Sequence, residues 1–195
     1  MKVRLTTPPA TEPITFEDAE IHLRLDPGMT EETQYITELI SVARGMVESF
    51  TGRALITQTW EMYLDDFPDS NFIMLPFGNL QSVTSVTTKN SVGEETILTA
   101  MTHYLVDTSE PGRVVLPYLG SWPSLTPYPV GAVKIVFVCG YGNAPAVPYG
   151  LKSALKLILS DLYENRESQI YGNSNYIQNT TAANLMYQYK LWNEF

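Results

Sequence analysis

The stretch from Val147 to Ser168 constrains the fold more than any other part of this sequence. Pro148 suits the first turn of a helix, where its missing N–H costs nothing, and the residues after it are good helix formers. Apolar residues then recur at helical spacing and form one wide stripe. The pattern predicts a long helix over residues 148–166 that buries one side. The apolar positions are Leu151, Ala154, Leu155, Ile158, Leu159, Leu162 and Tyr163.

The opposite side of this helix carries charges in an unusual order. Lys152 and Lys156 lie near its N-terminus, whereas Glu164 and Glu167 lie near its C-terminus. This order opposes the helix dipole and costs roughly a few tenths of a kcal/mol per charge. Either the face is simply solvated, or a group outside the helix compensates, such as a copy of the same helix in a neighbouring subunit.

Composition and charge limit the domain organisation and the functions that this chain can have. With 195 residues, of which 44% are hydrophobic and 17% charged, the chain is long enough for one domain with a sizeable core, or for one domain and an arm. The formal net charge of −9 argues against a protein that holds nucleic acid by its phosphates. A nucleic-acid-binding module is therefore the weakest of the alternatives.

The single cysteine and the N-terminal residues indicate where the protein is made. Cys139 predicts a buried thiol, with neither an intrachain disulfide nor a cysteine cluster for a metal. The opening MKVRLTTPPATEP lacks the apolar core of a signal peptide, and no run approaches the length of a membrane span. The sequence predicts a protein that is made in a reducing cytoplasm.

The first fifty residues predict a lead-in and two helices. Residues 1–13 contain three prolines, which predict an extended lead-in without regular structure. A short helix is predicted over Thr15–Leu25 and a longer one over Thr30–Phe50, each capped by the hydroxyl of its first residue. Gly52 is the predicted left-handed stop of the longer helix.

From Leu55 to about Gly140, β-branched and aromatic residues dominate and turn signals recur. In the first predicted strand, Trp60 and Met62 share one face by alternation. The segment predicts a compact antiparallel sheet or small barrel, and its proline-rich part, residues 118–131, predicts a projecting loop. The predicted strands are Gln58–Leu64, Asn71–Leu75, Ser82–Thr88, Thr96–Leu98, Tyr104–Asp107, Arg113–Leu116 and Val133–Cys139.

The C-terminal tail has a distinct composition. Residues 169–188 carry no charge and are rich in Asn, Tyr, Gln and Thr, which predicts an arm that is mobile alone and orders on a partner. The chain then ends in aromatic residues of the kind that anchor interfaces. Alternatively, the tail packs on its own domain, and the residues leave both possibilities open. The predicted anchors are Leu185, Tyr187, Tyr189, Trp192 and Phe195.

The sequence contains few candidates for catalysis. His22 and His103 have no metal-ligand spacing around them, and the glycines at 140 and 142 lack the further glycines and lysine of a phosphate-binding loop. The acidic DDFPDS segment, Asp65 to Ser70, could attract a cation but has no calcium-loop pattern. No catalytic, metal or cofactor-binding residue is predicted. A metal-dependent hydrolase built on the acidic segment is the alternative from another class.

Two stretches resemble one known family. Ala43–Leu64 reads ARGMVESFTGRALITQTWEMYL, and Val147–Glu167 reads VPYGLKSALKLILSDLYENRE. The hallmark ARxxVExxTGRxLxxQTW of the first and the closing helix of the second resemble the gp6-like head-tail connector (adaptor) proteins of tailed bacteriophages and related gene transfer agents. The LPFGNLQSVTSV that starts at Leu75 and the WP at Trp122 resemble the longer members, which carry a β-rich insertion. The resemblance spans about residues 15–168.

The resemblance implies an α+β fold. Residues 1–168 would form a single connector domain whose helical core, 15–25, 30–50 and 148–166, is interrupted by an antiparallel β-rich insertion over about residues 55–140. Residues 169–195 would form an extended C-terminal arm.

The resemblance also implies a structural virion protein at the head-tail interface, with no enzymatic activity and no cofactor. Such adaptors form a closed ring beneath the portal, commonly of twelve subunits, and extend the channel through which DNA enters and leaves the head. DNA would pass without specific binding, and a stopper or tail-completion protein would attach below. A neighbouring joint component, itself a stopper or tail-completion protein, is the alternative of the same class.

A ring requires heterologous contacts between different faces of neighbouring subunits. The charged residues on the predicted helices are the expected subunit contacts, and the aromatic arm is expected to dock on the portal. Arg44 and Arg53 could instead brace the fold, because arginine stems often pack structurally. The expected subunit contacts are Arg44, Glu48, Arg53, Lys152, Lys156, Glu164 and Arg166.

Overall fold

The computed structural model describes residues 1–26, 31–124, 126–166 and 180–192. The chain divides into two compact units, which we name the β-rich unit and the helical unit. The helices and the β-rich segment were predicted as parts of one domain, and each forms a compact unit by itself. The β-rich unit comprises Met1–Ala10 and Thr57–Tyr141, and the helical unit comprises Thr11–Ile56 and Gly142–Phe195.

Eight strands lie within the described residues of the β-rich unit. Seven of them lie where the sequence predicts strands, and their ends differ from the predicted ends by at most two residues. The strands are β1 (Lys2–Thr7), β2 (Gln58–Leu64), β3 (Phe72–Met74), β4 (Leu80–Lys89), β5 (Glu95–Leu98), β6 (Leu105–Asp107), β7 (Arg113–Val115) and β8 (Val133–Cys139).

The strands form two antiparallel sheets. The larger has the order β1-β2-β8-β4-β5, and the smaller has the order β3-β7-β6. On β2, Trp60 and Met62 pair across the sheet with Phe137 and Ile135 of β8, and all but the half-buried Trp60 are buried. The predicted alternation on β2 is thus confirmed, because cross-strand apolar pairs stabilise the face that they share. The predicted burial of Cys139 is confirmed as well.

The prediction of a lead-in without regular structure is wrong for the first residues. β1 pairs with β2 antiparallel, with Val3 opposite Met62 and Leu5 opposite Trp60. The prolines that suggested irregular structure all lie after this strand. Val3 and Leu5 alternate with the basic residues Lys2 and Arg4. This two-residue period is typical of a β-strand.

The predicted loop over residues 118–131 contains no helix or strand among its described residues. The indole N–H of Trp122 donates to the Ser70 carbonyl at 2.8 Å, and its ring stacks on Phe67 with the centroids 4.9 Å apart. The loop is therefore held at its tryptophan, while Tyr118 and Leu119 are almost fully exposed.

The helical unit contains four α-helices and a 3-10 turn at Ala144–Ala146 among its described residues. The three predicted helices are confirmed, each slightly shorter than expected. The fourth helix was not predicted. The α-helices are α1 (Phe16–Leu23), α2 (Thr33–Thr51), α3 (Tyr149–Glu164) and α4 (Thr180–Tyr187).

The helix ends follow their local chemistry. The Thr15 hydroxyl accepts from the Asp18 N–H at 3.0 Å, and the Asp18 carboxylate accepts from the Thr15 N–H, which together form a capping box. Gly52 ends α2 with a φ of 70°, as predicted. The predicted cap Thr30 lies outside the described residues, and Glu32 is the N-cap of α2 without a side-chain capping bond.

The core of the helical unit lies between α2 and α3, and α1 and α4 each pack against both of these helices. Burying each of its large aliphatic side chains contributes about 1.5–3 kcal/mol. The largest fully buried side chains of the helical unit are Ile36, Ile40, Val47, Leu55, Leu151, Leu155 and Leu159.

The prediction of an extended arm is wrong for residues 180–192. This segment contains α4, whose Ala182 and Met186 lie one turn apart and are buried. The alternative in which the tail packs on its own domain therefore describes this segment, since small and apolar residues at helical spacing provide a face to bury. The rest of the predicted arm lies outside the described residues.

Gly112 is required where the two sheets of the β-rich unit approach each other. A Cβ at this position would lie 2.4 Å from the Cβ of Leu80, a buried residue of β4. We expect Gly112→Ala to lower the free energy of unfolding by about 1–3 kcal/mol, because the strand must move to make room. Urea denaturation measures this change.

The matched control is Gly45→Ala on α2, where an added Cβ meets no atom within 4 Å. This substitution should raise stability by roughly 0.5–1 kcal/mol, because alanine favours a helix over glycine. A Gly112→Ala variant as stable as Gly45→Ala would contradict the close approach.

Candidate functional site

Arg44 joins α2 to the segment that precedes α1. Its guanidinium donates to Glu12 and to Glu48, each at 2.8 Å, and to the Ser41 hydroxyl at 3.2 Å. Burial of the guanidinium disfavours its charge, but the two carboxylates outweigh this and raise the pKa of Arg44 above its ordinary value. The i,i+4 pair of Arg44 with Glu48 is part of a brace within the helical unit.

Arg53 holds the C-terminal segment in place. Its Nε donates to the carbonyl oxygen of Tyr189, and the Leu191 N–H donates to the Thr51 carbonyl at 2.8 Å. The ring of Tyr189 lies against Gly150, where an added Cβ would be 3.0 Å from it. The residues after α4 are therefore fixed to the end of α2 and the start of α3 by one side-chain and one backbone hydrogen bond and by close packing.

Lys156 forms an ion pair with Asp18 within the helical unit. Its Nζ lies 3.0 Å from the Asp18 carboxylate of the α1 capping box. The hydrogen bond from Lys156, helped by the one from the Thr15 N–H, lowers the pKa of Asp18 below its ordinary value. Asp18 of α1 therefore offsets the unfavourable interaction between Lys156 and the dipole of α3.

The C-terminal end of α3 is tied to the start of α2. Arg166 donates to Glu32 at 2.6 Å, and the Tyr163 hydroxyl donates to the same carboxylate. The hydrogen bond from Tyr163, followed by that from Arg166, lowers the pKa of Glu32. The guanidinium also lies over the rings of Tyr35 and Tyr163, at 4.7 and 4.9 Å from their centroids.

The predicted subunit contacts thus fall into two groups. Arg44, Glu48, Arg53, Lys156 and Arg166 bind groups of their own helical unit. Their role between subunits stays a prediction.

The second group, Lys152 and Glu164, forms no ion pair with the residues that the structure describes. Lys152 lies over its own neighbour, the ring of Tyr149, at 5.5 Å, and Glu164 is exposed without an ion pair to any described residue.

Sequence reasoning missed the carboxylates that these residues bind. Glu12, Asp18 and Glu32 are the partners of Arg44, Lys156 and Arg166, and they lie 32 to 138 positions away in the chain. The only signal in the sequence was Asp18 at the third position after a capping threonine, which indicated the cap but not the lysine.

Two of the predicted arm anchors, Tyr187 and Trp192, lie in an aromatic cluster with Phe50 of α2. Phe50 contacts Tyr187 edge-to-face at 5.0 Å, and the Lys190 ammonium lies 5.1–5.7 Å from the rings of Phe50, Tyr187 and Trp192. Tyr187 is half exposed and Trp192 is 74% exposed. Tyr189 is packed as described above, Leu185 is half-buried, and Phe195 lies outside the described residues.

Two carboxylates of the acidic segment considered for a metal accept backbone hydrogen bonds. Asp65 accepts from the Gly131 N–H at 2.7 Å, and Asp66 accepts from the N–H of the next residue. Among the residues with a described structure, no three His, Cys, Asp or Glu side chains form a group that could hold a metal ion. The helices described are each too short or too polar to cross a membrane.

Arg44→Ala tests the brace within the helical unit. The substitution leaves the carboxylates of Glu12 and Glu48 without their cation in a site where the arginine side chain is only 14% exposed. We expect the free energy of unfolding to fall by about 2 kcal/mol, as measured by urea denaturation.

The control is Arg4→Ala, which removes an arginine whose side chain is 68% exposed from its pair with Glu61. This loss should cost at most roughly 0.5 kcal/mol. Equal stability of Arg44→Ala and the unaltered protein would show that the ion pairs do not brace the fold.

Comparison with known proteins gives matches in structure alone. No protein-family model and no curated protein sequence matches the chain. The fold is similar to that of a chain in the neck of an empty gene transfer agent particle computed with C6 symmetry, with a TM-score of 0.83. It is also similar to chains in the virion of a native gene transfer agent particle (TM-score 0.79) and in the neck of a native particle computed with C12 symmetry (0.72).

In each comparison the sequence identity is 20%, and the alignment covers 100% of this chain and 98% of the matched chain. The similarity therefore extends over both units and the tail, and it shows that this chain shares the fold of those proteins.

Proposed function

We propose that this chain is a structural component of the neck of a tailed phage or phage-like particle. In this proposal it is the head-tail adaptor, which forms a ring under the portal, extends the DNA channel and provides the attachment site for the next neck protein. The observation that carries the proposal is the backbone match along the whole chain to a protein of a gene transfer agent neck, at a TM-score of 0.83. The adaptor-like motifs in α2 and α3 support it from the sequence.

Several features support a ring of identical chains. Two of the matched structures were computed with C6 and C12 symmetry, which relate identical copies by rotation. A rotational ring of more than two subunits joins two different faces of each chain. The charge of −9 suits a channel that DNA passes without binding, because like charges repel.

The portal contact in this proposal consists of the two exposed rings of the C-terminal segment, those of Tyr187 and Trp192. Tyr187 and Trp192 expose large rings that are held in place by Phe50 and Lys190. Preformed aromatic surfaces of this kind lose little side-chain entropy on binding and commonly dominate the energy of an interface. Trp192 is the residue on which we expect binding to depend most.

The test is the mass of the purified full-length protein, measured by light scattering alone and after mixing with the portal protein of the same particle. We expect the chain to join the portal in a fixed ratio. Trp192→Ala should weaken this association by about tenfold or more, since truncating a buried interface tryptophan costs at least about 2 kcal/mol. Ile97→Ala, which removes a side chain that is 69% exposed on β5, is the matched control.

Two results would overturn the adaptor proposal. If the chain binds a separate adaptor but not the portal, it is a stopper or tail-completion protein. If it associates with no neck protein and with no copy of itself, the proposal of a structural neck component fails.

A further inference from the structure

One face of α2 is apolar and uncovered. Val42 and Met46, one turn apart, are 49% and 48% exposed, and Gly45 between them offers open space where a Cβ would be. An exposed apolar pair on a helix loses contact with water only when another surface covers it. We name this surface, Glu38 to Phe50 with the adjoining Lys190, the α2 face.

Charges flank the apolar part of the α2 face at both ends. Glu38 lies one turn before Val42, accepts a hydrogen bond from Gln34 and forms no ion pair with a described residue. At the other end, the Lys190 ammonium lies over the Phe50 ring at 5.2 Å and forms no ion pair with a described residue. Along the helix, the α2 face therefore runs from negative to positive.

The solvent side of α3 has the opposite order. Lys152 lies near its start and Glu164 at its end, and both lack a counter-charge among the described residues. Between them lie Ser153 and Ser160, which are small enough for another helix to come close. We name this surface, Tyr149 to Glu164 on the solvent side, the α3 face.

The spacing of the charges is the same on the two faces. Twelve positions separate Lys152 from Glu164, and twelve separate Glu38 from Phe50, on which Lys190 lies. On a helix each interval is about 18 Å. A second chain whose α3 lies parallel to this α2 would therefore bring Lys152 to Glu38 and Glu164 to Lys190 together.

We infer that the α2 face of one chain binds the α3 face of a second copy of the same chain, with the two helices parallel. The inference rests on the proposed function, in which identical chains form a ring. The two faces differ, so the contact is heterologous, and repeating it leaves one free face of each kind for the next subunit. The contact also explains the charge order of α3, because the charges that α1 does not neutralise are neutralised by the neighbour.

Cysteine cross-linking tests the register of this contact. Alignment of Glu38 with Lys152 also aligns Met46 with Ser160. The full chain carrying Met46→Cys and Ser160→Cys, treated with a short bismaleimide reagent, should give a ladder of dimers, trimers and higher oligomers on a denaturing gel. The native Cys139 is buried and should not react. Either single variant, and the pair Val92→Cys with Ser160→Cys, should give no ladder.

Charge reversal gives a second readout that does not depend on the reagent. Glu38→Lys and Lys152→Glu should each weaken association about tenfold, because each places like charges opposite one another. The double variant should restore association to near its original strength. Both residues are at the surface of the helical unit, so their substitution leaves the core unchanged.

The protein is assayed alone and with the portal protein of the same particle, and light scattering reports association independently. A ladder together with charge-reversal rescue supports the inference. Association without a ladder and without rescue would overturn the inference and leave the proposed function standing. No association under any condition would overturn both.

Discussion

The helical unit depends on burying the apolar stripe of α3. Leu151, Leu155 and Leu159 are fully buried, and α1, α2 and α4 all pack on this helix. Each such side chain contributes about 1.5–3 kcal/mol only while it is kept from water. The ion pairs of Arg44, Lys156 and Arg166 lie around this core and join the segments that surround it to one another.

Most of the fold could be predicted because the spacing of apolar residues within each segment indicates its secondary structure. The alternation in β2 and β8 and the helical spacing in α2 and α3 require only neighbours in the sequence. β1 is not predicted because three prolines follow it closely and indicate irregular structure, although its own residues alternate. α4 is not predicted because the uncharged composition of residues 169–188 leaves open whether the tail packs, although Ala182 and Met186 lie at helical spacing and are buried.

The candidate site was less predictable, because its geometry depends on residues far apart in the chain. The sequence indicated that Arg44 and Lys156 carry important charges, but not that Glu12 and Asp18 receive them. Only the fold divides the charged residues into those that brace the helical unit and those, Lys152 and Glu164, that form no ion pair with a described residue. The proposed contact between α3 and the α2 face of a second copy is based on this division.

The central claim is that this chain forms the neck of a particle, and electron cryomicroscopy of the purified particle tests it most directly. The account predicts density for this α+β fold in several rotationally related copies between head and tail, with α3 of each copy parallel to α2 of the next. Particles whose neck density fits a different fold, or in which this chain lies in the head or tail, would contradict the account.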